Sequence, residues 1–137
     1  MRLSLLLVCL LALTACSKTK TESDPKAVFA AAFHLDAAPD RVAIANGYRL
    51  ERSKWGETKQ MYRLHLVGLD AKKFAQERWP DLTPGIRRVF HQGTQTPWFA
   101  PGKELKYITY RSPSDPAVTV MNPEGTTEVF IAYDALD

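Results

Sequence analysis

Beyond residue 16 the chain has no cysteine; its two are Cys9 and Cys16. A domain built from the remainder has no disulfide and no thiolate metal site, so an apolar core must hold it. The 45 % hydrophobic composition is enough for one. An excess of charge of one sign is also lacking: 18 basic residues stand against 15 acidic, a formal +3. That balance argues against nucleic acid or an acidic substrate as partner. No apolar run approaches the ~20 residues that cross a bilayer as a helix. No Gly-x-Ser-x-Gly elbow and no glycine-rich phosphate loop is present. Ser53, Ser112 and Ser114 fall in turn-like stretches, where turn chemistry accounts for them. His34, His65 and His91 are scattered, without the spacing that places two metal ligands on one helix face. No metal, cofactor or catalytic constellation is therefore expected, although a carboxylate pair assembled in space leaves no spacing to read.

What is present begins at residue 1. Met1-Arg2 is followed by Leu3 to Leu13, eleven residues that are apolar apart from Ser4. Small residues Thr14 and Ala15 then lead to Cys16. A basic start, a short apolar core and small residues at its end are the layout of a secretory signal. Leu13-Thr14-Ala15-Cys16 resembles the lipobox of bacterial lipoproteins. The resemblance covers residues 1–16 and implies cleavage before Cys16, with lipid on its thiol and usually on its new amino group. Several acyl chains hold a protein stably where one holds it marginally. Ser17, in place of a retaining aspartate, resembles lipoproteins of the outer membrane. The expected organisation is a signal peptide over 1–15, a lipidated cysteine and flexible tether over 16–24, and one periplasmic domain over 25–137.

Within that domain, Asp24-Pro25 reads as a helix start, with aspartate as cap and proline at the first helical position. Val28, Phe29, Ala32 and Phe33 then form an apolar stripe. From Arg41 the period becomes two. Val42, Ile44, Tyr48 and Leu50 are expected on one face, with a bulge at Asn46-Gly47 after which the alternation resumes in phase. A second strand over 60–69 places Tyr62, Leu64 and Leu66 inward, and the two form a hairpin. Asp70 is expected to cap a helix that ends at Trp79, before Pro80. A short helix over 86–91 is expected next, then a loop over 93–102 and strands over 105–111, 118–121 and 127–133. Asn122-Pro123-Glu124-Gly125 suits a type I turn with a left-handed residue after it. The fold class is α+β: a mostly antiparallel sheet of about five strands, hairpin then three-stranded meander, with helices on one face.

One stretch stands out as a contact. Pro97-Trp98-Phe99-Ala100-Pro101 holds two aromatics between two prolines, which lower the entropy lost on binding. Neighbours in an extended segment point opposite ways, so Trp98 is expected as a core lid and Phe99 at the rim of an interaction surface. Arg41, Arg49, Arg52, Arg63 and Arg87-Arg88 are expected as a solvated charged face. The functional expectation is an envelope lipoprotein that binds a periplasmic protein and catalyses nothing. Accessory subunits of envelope machines and immunity or inhibitor lipoproteins resemble it in build. The alternative is a small-ligand or peptidoglycan-binding module with a concave site lined by Tyr48, Tyr62 and Tyr107.

Overall fold

The computed structural model describes residues 17–84, 95–99 and 107–136. The signal region with Cys16, the expected helix over 86–91 and half of the loop over 93–102 lie outside them. The described residues form one antiparallel sheet and two helices. In chain order these are β1 (Ser17–Glu22), α1 (Pro25–Ala32), β2 (Ala43–Lys54), β3 (Glu57–Val67), α2 (Leu69–Arg78), β4 (Thr83–Pro84), β5 (Tyr107–Arg111), β6 (Val118–Pro123) and β7 (Val129–Ala135). The sheet order is β1-β2-β3-β7-β6-β5-β4.

The strand number exceeds the expected five, and both additions are edges. Ser17–Glu22, expected as part of a flexible tether, pairs with β2 from Ser17↔Lys54 to Glu22↔Arg49. Every residue of β1 is exposed, so it buries no side chain. Backbone hydrogen bonds to the free edge of a long β2 hold it, which a reading based on buried side chains overlooks. Its lysines, Lys18 and Lys20, are the kind of residue that keeps an edge from recruiting another chain. At the other edge of the described sheet, β4 pairs through Thr83↔Arg111 and Pro84↔Tyr110, an edge position being one where proline is tolerated.

Helix α1 forms as its sequence directs. Asp24 accepts a hydrogen bond from the Ala27 amide at 2.9 Å, Pro25 opens the helix, and Val28, Phe29, Ala32 and Phe33 are buried. It closes with Leu35 N donating to Ala30 O and His34 N to Ala31 O, His34 taking the left-handed position at φ 54°. Helix α2 departs from expectation at its start. Gly68, at φ 119°, occupies the cap, and Asp70 lies inside the first turn, where its charge complements the helix dipole. The helix ends at Arg78 because Trp79 precedes Pro80 and turns extended.

The bulge in β2 falls at Ala45, one residue before the expected pair, and it reverses the phase. Ile44 pairs with Leu66, but Asn46 pairs with His65. One extra residue exchanges the faces of everything after it. Gly47 and Arg49 therefore share a face with Leu64 and Tyr62, while Tyr48 and Leu50 share the opposite face with Arg63 and Met61. The expectation that Tyr48 and Leu50 continue the Ile44 face does not hold.

Both faces of the central strands are covered. The first carries α1 and α2: Phe29 stacks on Phe33 and meets Phe74 edge-on, over Leu64, Leu66, Val120, Val129 and Ile131. The second carries Phe99 on Met121, Phe130 and Ala132. Val129 to Ala132 and Val118 to Met121 are consequently buried without alternation. In the β6–β7 connection Gly125 is left-handed at φ 75°, as expected, but the turn falls one residue later than Asn122–Gly125. Thr126 N donates to Pro123 O at 3.2 Å, so Pro123 is its first residue and Gly125 its third. Asn122 braces it by donating from Nδ2 to the carbonyls of Thr126 and Glu128.

Candidate functional site

Three places on the described surface carry groups that could act on something else. The first is the Pro97-Trp98 turn on the second sheet face. The Phe99 amide donates to Thr96 O at 3.0 Å, closing a four-residue turn with Pro97 at its second position. Phe99, the fourth, is buried at 2 % exposure. Its ring meets Phe130 edge-on at 5.7 Å, and the Arg63 guanidinium lies 5.4 Å from its centroid. Trp98, the third, is half-buried and meets Phe99 edge-on at 5.8 Å. The expected assignment is thus inverted: Phe99 is the lid and Trp98 the accessible ring. The argument from an extended segment fails because the segment is a turn.

The second place is His65, on the same sheet face. Its ring stacks on Phe130 with centroids 4.2 Å apart. Asn46 Nδ2 lies 3.4 Å from Nδ1, and Glu128 Oε1 lies 3.0 Å from Nε2. An amide donor at Nδ1 leaves the ring proton on Nε2, where it donates to the Glu128 carboxylate. Both ring nitrogens are engaged and the ring is clamped between strands. The arrangement orients the imidazole, and no hydroxyl among the described residues hydrogen-bonds to it. Sequence spacing could not show this group, since its three polar members come from β2, β3 and the approach to β7.

The third place is the β2–β3 hairpin tip. Trp55 and Gly56 form a two-residue turn with both backbones left-handed, at φ 55° and 79°. That turn suits Asn-Gly or Gly-Gly, and a bulky residue at its first position is strained. Trp55 is 63 % exposed. An open basin of about 450 Å³ beside it is lined by Ser17, Arg52, Lys54 and Lys59, among others.

The remaining expected groups are dispersed. Tyr62 is buried on the helix face, stacked on Tyr133 at 4.7 Å, and burial raises its pKa well above the tyrosine range. Tyr48 lies on the opposite face, and the backbone of Tyr107 is four strands from β2, roughly 19 Å away at ~4.8 Å per strand. The expected tyrosine-lined hollow is therefore not assembled. The arginines separate as well: Arg41 lies over Phe74, Arg49 pairs with Glu51, and Arg63 pairs with Asp134. Arg87-Arg88 and His91 lie outside the described residues. Exposed His34 serves as a helix terminator. Among the described residues no cluster of three or more His, Cys, Asp or Glu comes together. No helix among them is long and apolar enough to cross a membrane.

Ser112, 1 % exposed, is tied down by donating from Oγ to Asp81 Oδ1 at 2.6 Å. Ser114 N donates to Asp81 Oδ2 at 2.8 Å. These bonds, that from Ser112 foremost, lower the Asp81 pKa to about 2. The carboxylate's contribution is full above its unfolded pKa of ~4 and is lost as pH falls from there through about 2. Asp81→Asn should therefore melt below the parent at neutral pH, with the gap closing between about pH 4 and pH 2. A gap that stays constant across that range in parallel melts would mean Asp81 does not anchor this turn as a carboxylate.

Compared with family models, curated proteins and solved structures, the chain matches none.

Proposed function

We propose that this chain is a bacterial envelope lipoprotein, anchored through acyl chains on Cys16, whose domain binds a protein partner without catalysing a reaction. The outer membrane, facing the periplasm, is its proposed location. The observation that carries the binding role is the Pro97-Trp98 turn. Phe99 is sunk in the sheet face as a root, and Pro97 limits the backbone, so Trp98 stands half-exposed on a preorganised support. Tryptophan held this way contributes strongly at interfaces because little freedom is lost on docking. The anchor rests on the lipobox-like Leu13-Thr14-Ala15-Cys16. The engagement of both His65 ring nitrogens favours a binding role over a catalytic one. An accessory subunit of an envelope machine and an immunity or inhibitor lipoprotein both fit this reading.

Mass spectrometry of protein purified from membranes should find an acylated N-terminus at Cys16; a mature protein starting elsewhere removes the anchor. Crosslinking in intact cells should then join the parent to an envelope protein that Trp98→Ala loses. Equal yields from parent and variant would remove Trp98 from the binding surface.

A further inference from the structure

The start of β1 and the hairpin tip are one place. Ser17 pairs with Lys54, the last residue before the Trp55-Gly56 turn. Cys16 is one peptide unit from Ser17, about 3.8 Å between Cα atoms. The lipid-bearing residue of the proposed anchor is therefore covalently next to the tip, with no intervening linker. The hairpin also projects. Its pairing with β7 stops at Gln60↔Ala135, and three further pairs, Arg52↔Lys59 to Lys54↔Glu57, run past β7 by roughly 10 Å at ~3.3 Å per residue.

The tip has the chemistry of a bilayer interface. Trp55 is one of two large hydrophobic residues classed as exposed among the described residues, the other being Leu35. Tryptophan is at home at headgroup depth, where its ring is half in hydrocarbon and its N–H is wet. Arg52, Lys54 and Lys59 are on one face of the tip, with Glu57 opposite Lys54; Lys18 and Lys20 are on the other, with Glu51 opposite Lys20, so basic residues outnumber acidic ones there. A basic collar draws a protein to anionic lipid. Trp55 also occupies a left-handed position that glycine or asparagine would take more readily. Strain kept at an exposed tip points to use of that side chain.

We propose that the β2–β3 tip is a second membrane contact, with Trp55 and its basic collar seated in the headgroups of the leaflet that holds the Cys16 acyl chains. This rests on the lipoprotein reading above. Two contacts side by side fix the domain's tilt, with the hairpin pointing into the bilayer surface and the opposite ends of β3 and β7, where His65 and Phe130 lie, directed away. The half-exposed Trp98 ring is then held away from the bilayer surface.

The test uses full-length protein purified from membranes and reconstituted into phosphatidylethanolamine–phosphatidylglycerol vesicles with nitroxide-labelled acyl chains. Tryptophan emission is compared between the parent and Trp55→Asn. Trp79 is buried at 3 % exposure, and Trp98 meets Phe99 over Phe130, whose partner His65 is eight residues along β3 from Glu57, roughly 26 Å at ~3.3 Å per residue; nitroxide quenching should therefore fall severalfold in the variant. The variant should also melt at or above the parent temperature, because asparagine accepts the left-handed turn. A loss of quenching with unimpaired melting supports the contact. If the acylated protein is on the vesicles and quenching is unchanged by Trp55→Asn, the contact is refuted while the lipoprotein reading stands. If mass spectrometry finds no acyl group on Cys16, that reading fails and this inference fails with it.

Discussion

Phe99→Ala should destabilise the domain by about 3–5 kcal/mol, the usual cost of emptying a buried aromatic site. The ring is 2 % exposed and fills the second face of the sheet over Met121, Phe130 and Ala132. Its loss also removes the edge-on contact with Phe130 and uncovers the ring face beside Arg63. Against a total stability of about 5–15 kcal/mol for a domain of this size, that change can decide whether the protein is folded at 37 °C. Trp98→Ala should cost about 1–2 kcal/mol, because its half-exposed ring has less buried surface to lose. Urea unfolding of the two variants side by side measures the difference. The opposite ranking would place Trp98 in the core and Phe99 outside, and the proposed binding surface would have to be abandoned.

Gly47→Val is expected to destabilise by about 3 kcal/mol, at the upper end of the usual cost of overpacking. Propensity alone gives the opposite sign, since valine suits a strand and glycine weakens one. Packing decides. A Cβ at Gly47 would stand 3.0 Å from Pro25 Cα and 3.0 Å from Val28 Cβ, so α1 lies directly on the backbone of β2. Pro25 Cα belongs to the first turn of a capped helix and cannot rotate aside as a side-chain tip can. Thermal melting of Gly47→Ala and Gly47→Val should show a graded loss, the second larger. A valine variant that melts above the parent would mean α1 does not rest on this glycine.

Gly47 also shows where local reading stops. Asn46-Gly47 looks like an interruption of alternation, and an interruption is there. The sequence does not say that the extra residue is Ala45, because alanine is compatible with either face. Moving the bulge by one residue changes which residues belong to the core: it sends Gly47 inward and Tyr48 and Leu50 to the other side. The two-sided burial of Val129-Phe130-Ile131-Ala132 did leave a signal, an unbroken apolar run, though nothing in it identifies what covers the second face.

By itself the sequence determined what depends on neighbours a few residues apart. The Asp24 cap, the end of α2 before Pro80, the left-handed Gly125 and the inward set Tyr62, Leu64 and Leu66 follow from chain geometry and period. It also carries the lipobox-like motif on which the proposed anchor depends. The tertiary structure alone decided what depends on partners far along the chain. It drew the polar Ser17–Glu22 into the sheet, joined His65 to Asn46 and Glu128, and brought the residue after Cys16 to the Trp55 tip. It also turned Phe99 inward and left Trp98 at the surface. The physical reason is the same in each case. A strand's edge and a side chain's face are satisfied by whatever lies across the sheet, and that neighbour is chosen by the whole chain's pairing order.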